Sequence, residues 1–337
     1  MKHFRMAACL FAAASMAFIP VACSDDDDQQ QQDITDVKTP SGETNFTEET
    51  YAAYAAKYNV QDPDFEFESF EFLADGTYIL TRRGYTSYVR KAEKPTVVNS
   101  RKDIARLLRT PRKATRSTDN VYFVYGNYTV ESDGSFRLDN YGNVVISPDA
   151  SIIRFTNNET GITSTVDVNK EQRAYTGGNT QKLCRTWTLK YTEVRASYNG
   201  TQTIHFKFDM QAAKLIFFDI NSTMLEPGIS IEDAKQEVIE ELMDSYESSP
   251  QSVVFSPNGT YFVTYRNGYC EKSSWKWGNE ANGILYYDWS ENNDDIDGEG
   301  YTSVTFKDKY SYIKEDYTEN EDGDNYRDIV VMTMEAR

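Results

Sequence analysis

Residues 70–84 read FEFLADGTYILTRRG and residues 253–268 read VVFSPNGTYFVTYRNG, so two stretches of this 337-residue chain follow one pattern. Each consists of an apolar run, an Asp-Gly or Asn-Gly pair, and a second apolar run that begins with Thr-Tyr. Such a pair between apolar runs is the strongest local signal of a β-hairpin, because Asn, Asp and Gly tolerate the positive φ of tight turns. The pattern predicts one hairpin of the same kind in each half of the chain.

The chain around these hairpins is also rich in strand-forming patterns. An aromatic content of 14% argues against disorder and favours packed strands. Many short strands joined by hairpin turns indicate an antiparallel barrel or sandwich. We therefore predict a mainly β protein of two tandem antiparallel β units, 47–175 and 180–337, with a boundary at the glycine-rich residues 176–179. In the second unit we expect strands near 201–209, 213–220, 252–256, 259–266, 272–278, 283–289, 301–306, 310–316 and 326–335.

One helix is expected among the strands of the second unit. Residues 230–246 carry apolar side chains at helical spacing, and Ser230 with Asp233 can form a capping box. Residues 47–58 form a weaker helical pattern ahead of the first unit. The predicted buried face of the stronger helix consists of Ile231, Ala234, Val238, Leu242 and Met243.

The first 23 residues have the layout of an export signal. Lys2 and Arg5 are followed by an apolar stretch over residues 6–22, and the small residue Ala22 precedes Cys23. A basic start, an apolar run and a small residue are typical of a signal peptide, which is removed from the mature protein. An ordinary secreted protein with an incidental cysteine is the alternative interpretation.

The residues at and after Cys23 resemble a lipoprotein export signal. A cysteine directly after a small residue resembles the lipobox of bacterial lipoproteins, and residues 25–32 (DDDDQQQQ) resemble the acidic export tag of surface lipoproteins of the Bacteroides group. The resemblance implies acyl chains such as palmitate on Cys23, an outer-membrane anchor, and a body that faces the cell exterior. Residues 23–46 would then form a flexible acidic tether.

From Trp187 to its end, the second unit resembles the lipocalin-like domains of Bacteroides-group lipoproteins. In those domains an early Trp closes the floor of a barrel, and a phrase of the form FxxxGTY follows later, here residues 255–261 (FSPNGTY). The resemblance implies an up-and-down β-barrel with one inserted helix.

A basic insertion distinguishes the first unit from the second. The stretch of chain from the hairpin glycine to the next Gly-Asn pair is 31 residues longer in the first unit than in the second. The extra residues fall near 85–119. Twelve basic and two acidic residues give 82–116 a net charge of +10, whereas the chain without residues 1–22 carries −20. This segment either binds an anionic partner, lies on the protein's own acidic surface, or stays solvated. The candidate contacts to an anionic partner are Arg101, Lys102, Arg106, Arg109, Arg112 and Lys113.

Two pairs of aromatic residues in the second unit are candidates for ligand binding. Trp275 and Trp277 share a strand face by alternation, as do Tyr287 and Trp289 on the next strand. If both pairs lie on one side of the sheet, they form a platform that could stack on a sugar or line a barrel cavity. The alternative is an ordinary cross-strand aromatic cluster in the core.

Two cysteines would remain in the mature body besides the lipidated one. Cys184 and Cys270 could form a disulfide in an oxidising compartment, or could stay free. His205 is the only histidine after residue 22, so these side chains provide too few ligands for a structural zinc site.

The sequence lacks the motifs of common enzyme classes. It contains no G-x-S-x-G elbow, phosphate loop or dinucleotide fingerprint, and its acidic balance argues against nucleic-acid binding. We therefore expect no catalytic residues, metal or cofactor, and a surface lipoprotein that binds a glycan, a small amphiphile or an anionic partner such as a surface polymer. The alternatives are a structural subunit of an outer-membrane assembly and, more remotely, an enzyme that acts on glycans through two carboxylates.

Replacing Cys23 by alanine tests the lipoprotein prediction. Because the acyl chains provide the apolar area that holds the protein at the membrane, C23A should move the protein from the membrane fraction to a soluble fraction. Fractionation of the cells followed by immunoblotting measures this, with Ser24→Ala as the control. An unchanged distribution of C23A would contradict lipid anchoring.

Overall fold

The computed structural model describes residues 51, 54–83, 123–139, 141–225, 227–268, 270–288, 301–321 and 323–337. The signal and tether (1–46) and the basic insertion near 85–119 therefore lie outside the described residues. Within the described ranges the chain forms two closed antiparallel barrels of eight strands each and two α-helices. The predicted mainly β fold of two tandem units is confirmed.

The first barrel closes in simple up-and-down order. Each strand pairs with the next in sequence, and the first pairs with the last to complete the ring. Its strands are β1 (Ala56–Val60), β2 (Phe67–Phe72), β3 (Thr77–Arg82), β4 (Phe123–Val130), β5 (Phe136–Leu138), β6 (Gly142–Ile146), β7 (Ile152–Asn157) and β8 (Thr163–Lys170).

The second barrel repeats this plan with one addition. Its closed ring runs β9, β12 to β18 and back to β9, while β10 and β11 extend the sheet from the far half of β9. No helix in the described ranges is long and apolar enough to cross a bilayer. The elements are α1 (Gly178–Leu183), β9 (Thr186–Tyr198), β10 (Thr201–Asp209), β11 (Lys214–Ile220), α2 (Ile231–Asp244), β12 (Pro250–Phe255), β13 (Thr260–Tyr265), β14 (Cys270–Asn279), β15 (Ile284–Asp288), β16 (Tyr301–Lys307), β17 (Tyr310–Glu321) and β18 (Asp324–Ala336).

The two predicted hairpins have the same turn geometry. Leu73 N donates to Thr77 O (2.8 Å) and Ser256 N donates to Thr260 O (2.9 Å), so the same five-residue turn closes both hairpins. The turn glycines have φ of 83° at Gly76 and 84° at Gly259. Only the glycine adopts positive φ in each turn, as in a type I turn followed by a left-handed residue.

The equivalent hairpins β2–β3 and β12–β13 also join the two barrels. Ile79 and Phe262, which occupy the same place in the repeat, point away from their own barrels into a shared cluster. The rings of Phe123 and Tyr125 each lie 5.3 Å from that of Phe262. Polar contacts surround this apolar contact: Lys272 Nζ donates to Thr81 Oγ1 at 2.9 Å, and Thr186 N donates to Asp75 Oδ2 at 2.6 Å.

The insertion in the first unit is longer than the sequence comparison suggested. Thr81 pairs with Phe123 across 41 intervening residues, whereas the equivalent Thr264 pairs with Cys270 across five. The excess is therefore 36 residues and not 31. Tyr78 and Tyr261 occupy the same place in the repeat. Gly126 lies opposite Tyr78, but Ser273 and not Gly278 lies opposite Tyr261, so the two Gly-Asn pairs are not equivalent.

The structure confirms the position of the predicted helix, but only part of its predicted buried face is buried. Ser230 and Asp233 form the capping box, and Ala234, Val238 and Leu242 are buried. Ile231 and Met243 are 49% and 44% exposed, because they lie at the two ends of α2, beyond the core it covers. The prediction of a weaker helix over 47–58 is wrong for its last residues, because strand β1 begins at Ala56.

Alanine at Gly76 or Gly259 tests the repeated turn. The left-handed conformation costs a residue with a Cβ about 1–2 kcal/mol, so each variant should lose that much free energy of unfolding. Gly178→Ala is the control, because its φ is not positive and an added Cβ there meets nothing within 4 Å. Urea unfolding measures the difference, and equal stability of G259A and G178A would contradict the assignment.

Candidate functional site

The second barrel has two chemically different ends. At the closed end, α1 leads into β9 and the turn of the β12–β13 hairpin lies beside it. At the opposite end, which we call the mouth, β13 ends at Tyr265, β14 begins at Cys270 and β15 ends at Asp288. Because successive antiparallel strands reverse direction, these chain ends lie at one rim of the barrel.

Aromatic residues seal the closed end. Trp187 is 3% exposed and its Nε1 donates to Leu183 O in α1 at 2.8 Å. Trp277 Nε1 donates to Thr180 Oγ1 at 2.8 Å, and Thr180 N donates to Glu280 Oε1 at 2.8 Å. The glycine-rich stretch predicted as a boundary thus leads into a short helix that is hydrogen-bonded to this barrel.

Trp275 belongs to the core packing of this end. It is 3% exposed, its ring meets that of Trp277 edge to face at 5.4 Å, and its Nε1 donates to Ser256 O at 2.8 Å. In the first barrel the equivalent position holds Tyr128, whose hydroxyl donates to Leu73 O at 2.9 Å. Each aromatic side chain thus donates a hydrogen bond to the first carbonyl of its hairpin turn. Trp275 therefore stabilises the turn from inside the barrel.

The predicted sugar platform is not formed by the two tryptophans. Trp275 offers no open ring face, because the rings of Tyr175, Phe255 and Trp277 pack around it. Tyr287 lies opposite Trp275 in the strand ladder, and its side chain is outside the described residues, as is Trp289. Alternation correctly put Trp275 and Trp277 on one face, but that face points into the barrel.

The candidate disulfide between Cys184 and Cys270 is absent, and both thiols are free. Cys184 follows α1 at the closed end, whereas Cys270 begins β14 at the mouth and packs against the cluster between the barrels. The two residues therefore lie at opposite ends of one barrel. Burial raises the pKa of both thiols, that of Cys270 to about 12, which makes both unreactive at neutral pH.

Polar side chains extend inside the barrel from the mouth, where Tyr265 and Glu271 lie, towards Tyr261 at the start of β13. Tyr265 Oη donates to Glu271 Oε2 at 2.9 Å, and Tyr265 is 2% exposed. Burial, together with the charges of Glu271 of β14 and Glu315 of β17, raises the pKa of Tyr261 well above the ordinary value. Glu315 is 2% exposed and belongs to β17, which lies across the ring from β13. The layer therefore reaches across the barrel.

This mouth layer (Tyr261, Tyr265, Glu271 and Glu315) is larger than its counterpart in the first barrel, where burial and the charge of Asp139 raise the pKa of Tyr78. The core of the first barrel is filled by aromatic rings that meet edge to face, for example Phe67 with Phe155 at 5.7 Å and Phe72 with Phe136 at 4.8 Å. Tyr58, Tyr78 and Tyr128 add buried hydroxyl groups to this core. Among the described residues, the second barrel differs by having two carboxylates, Glu271 and Glu315, that act on one buried tyrosine.

Sequence analysis did not identify the mouth layer. The hairpin motif contains Tyr261 and Tyr265, and alternation along β14 would have put Glu271 on the inner face with Trp275. Glu315 lies 44 residues further along the chain, and only the closure of the barrel brings it to the same layer. Among the described residues no group of three His, Cys, Asp or Glu side chains has the arrangement of a metal site.

His205 lies on the outer face of the sheet, far from the barrel interior. Its Nε2 is 2.9 Å from Glu193 Oε1, which also accepts from Arg195 Nε at 3.0 Å. Burial opposes ionisation of Glu193, but hydrogen bonds from Arg195 and His205 outweigh it and hold the pKa of this carboxyl below its ordinary value. His205 is thus part of a surface ion-pair cluster.

Two predicted sites cannot be located in the structure. Cys23 lies outside the described residues, and so do all six basic candidates, which are Arg101, Lys102, Arg106, Arg109, Arg112 and Lys113.

Comparisons with known proteins add little to this description. No protein-family model and no curated protein matches the chain. One solved structure, a protein of unknown function from the DUF3598 family of Nostoc punctiforme PCC 73102, aligns over 87% of this chain and 100% of its own at 8% identity. The TM-score of 0.16 is too low for that similarity to carry any argument.

Removing the two equivalent hydrogen bonds tests the structural role of Trp275. Trp275→Phe and Tyr128→Phe each remove the side-chain donor of a turn carbonyl that keeps its backbone donor, which should cost about 0.5–1.5 kcal/mol of unfolding free energy. Tyr310→Phe, a half-buried tyrosine at the start of β17, serves as the control. Wild-type stability of W275F together with lost ligand binding would instead assign Trp275 to a binding site.

Proposed function

We propose that the protein is a non-enzymatic binding protein of the outer membrane, which is anchored by lipid on Cys23, faces the cell exterior and binds a glycan at the mouth of its second barrel. The observation that carries this proposal is the mouth layer, in which two tyrosines and two carboxylates from β13, β14 and β17 converge inside one barrel.

The chemistry of the mouth layer suits a ligand with many hydroxyl groups. Carboxylates accept hydrogen bonds, and a hydroxyl group can donate to them. Tyrosine hydroxyls are protonated at neutral pH and can donate a hydrogen bond to a ligand oxygen as well. Mixed donors and acceptors of this kind suit the hydroxyl groups of a glycan.

The location of the protein supports the same function. The apolar stretch before Cys23 and the acidic run after it favour export, lipid attachment and display on the cell surface. A protein displayed there meets polysaccharides of the cell and of its surroundings. A net charge of −20 without residues 1–22 disfavours binding to strongly anionic polymers away from the basic insertion, so a neutral glycan fits the mouth best.

Binding of defined oligosaccharides to mouth variants tests the function. The full chain in detergent is screened on an array of neutral and acidic oligosaccharides, and the affinity for each one bound is then measured by calorimetry. Tyr265→Phe and Glu315→Gln each remove one polar contact of the layer with little change in shape. A hydrogen bond to a charged group contributes about 1.5–3 kcal/mol, so affinity should fall at least about tenfold.

Tyr58→Phe is the matched control, because it removes the hydroxyl of a buried tyrosine inside the first barrel. Its affinity should equal that of the wild type. The proposal is wrong if no oligosaccharide binds, or if the affinity of Y265F and E315Q stays at the wild-type value.

A further inference from the structure

Strand β11 has a feature that no other described strand shares. It pairs only with β10, whereas every strand of both closed rings has a neighbour on each side. The first barrel has no counterpart of β11, because β1 connects directly to β2 there. The backbone of β11 therefore presents the one unpaired strand edge among the described elements, and such edges readily pair with a further strand.

The side chains of β11 leave apolar surface exposed beside this edge. Ile216 and Phe217 are 49% and 44% exposed. In the ladder with β10, Leu215 lies opposite Phe208 and Phe217 lies opposite Lys207. Ile216 lies between these two pairs, at a bulge. Phe208 is buried in the core, so Leu215 faces inward, whereas Phe217 faces outward and lies 4.6 Å from the ring of His205.

Helix α2 does not occupy the outer side of β11. Its buried residues Val238 and Leu242 belong to the same core cluster that Leu215 and Phe218 pack against, which is on the inner side of the sheet. The outer side and its exposed Ile216 and Phe217 are thus left uncovered by this helix. This exposed apolar surface borders the unpaired edge of β11.

We propose that β11 is the docking edge for a second copy of this chain, with the two β11 strands paired antiparallel about a twofold axis. The pairing that matches Ile216 with Phe217 of the second copy also matches Leu215 with Phe218 and Lys214 with Asp219. Lys214 and Asp219 are exposed and lie on the outer face, opposite Asp209 and His205 respectively. The twofold axis therefore creates two ion pairs and four apolar pairs at once.

This self-complementarity favours a second copy over an unrelated segment. Opposite charges at symmetry-related positions stabilise a cross-strand pair, and like charges there destabilise it. Because the chain as a whole is strongly acidic, two copies repel each other except where such pairs form. A twofold pairing also consumes both edges, so assembly stops at two copies and cannot continue into a fibre.

Charge reversal at the two positions tests the dimer directly. The full chain is purified in detergent, and its mass is measured by native mass spectrometry over a range of protein concentrations. Wild type should be dimeric, whereas Lys214→Asp or Asp219→Lys alone should be monomeric because each places like charges opposite one another. The double variant K214D/D219K should be dimeric again, because both pairs are restored with reversed sign.

Lys307→Asp is the matched control, since Lys307 is an exposed lysine at the end of another strand, β16. It should leave the dimer intact, and far-ultraviolet circular dichroism checks that every variant is folded. A monomeric wild type, or a dimer that survives either single reversal, would overturn the proposal. The mouth variants Y265F and E315Q should not change the mass, so this test is independent of glycan binding.

Discussion

The two hairpins β2–β3 and β12–β13 are buried on both faces, and the rest of the molecule depends on this double burial. Tyr78 and Tyr261 fill their own barrels, while their neighbours Ile79 and Phe262 face the other barrel. All six residues of β13 are buried as a result. A buried apolar side chain contributes about 1.5–3 kcal/mol, so each hairpin stabilises both its own barrel and the contact with its copy. The repeat is conspicuous in the sequence because both faces of each hairpin carry large apolar side chains.

Each hairpin turn is also held from inside its barrel by one aromatic donor. Tyr128 and Trp275 differ in chemistry and in the sequence around them, yet both reach the first carbonyl of the turn. Each carbonyl accepts this bond in addition to one from the turn glycine, and the feature common to both barrels is a hydrogen-bond donor on a large ring and not one residue type. This explains why a tryptophan that suggests a sugar platform in the sequence has a structural role.

The two barrels differ in the elements and side chains that are added to these equivalent hairpins. The first keeps an aromatic core and carries the basic insertion between β3 and β4. The second places β10, β11 and α2 between its first two ring strands, and it has Tyr261, Tyr265, Glu271 and Glu315 inside its mouth. In this view the first barrel is a structural support, and the second has the proposed binding and pairing surfaces.

Local features of the chain were decided by the sequence itself. Asn-Gly and Asp-Gly between apolar runs specify the hairpins, Ser230 with Asp233 specifies the start of α2, and alternation puts Trp275 and Trp277 on one face. These signals act over a few residues, where backbone preference and side-chain period suffice. Tertiary structure alone decided which face points inward, that Cys184 and Cys270 lie at opposite ends, and that Glu315 meets Tyr261. Those outcomes depend on strand register and barrel closure, which arise from contacts between residues far apart in the chain.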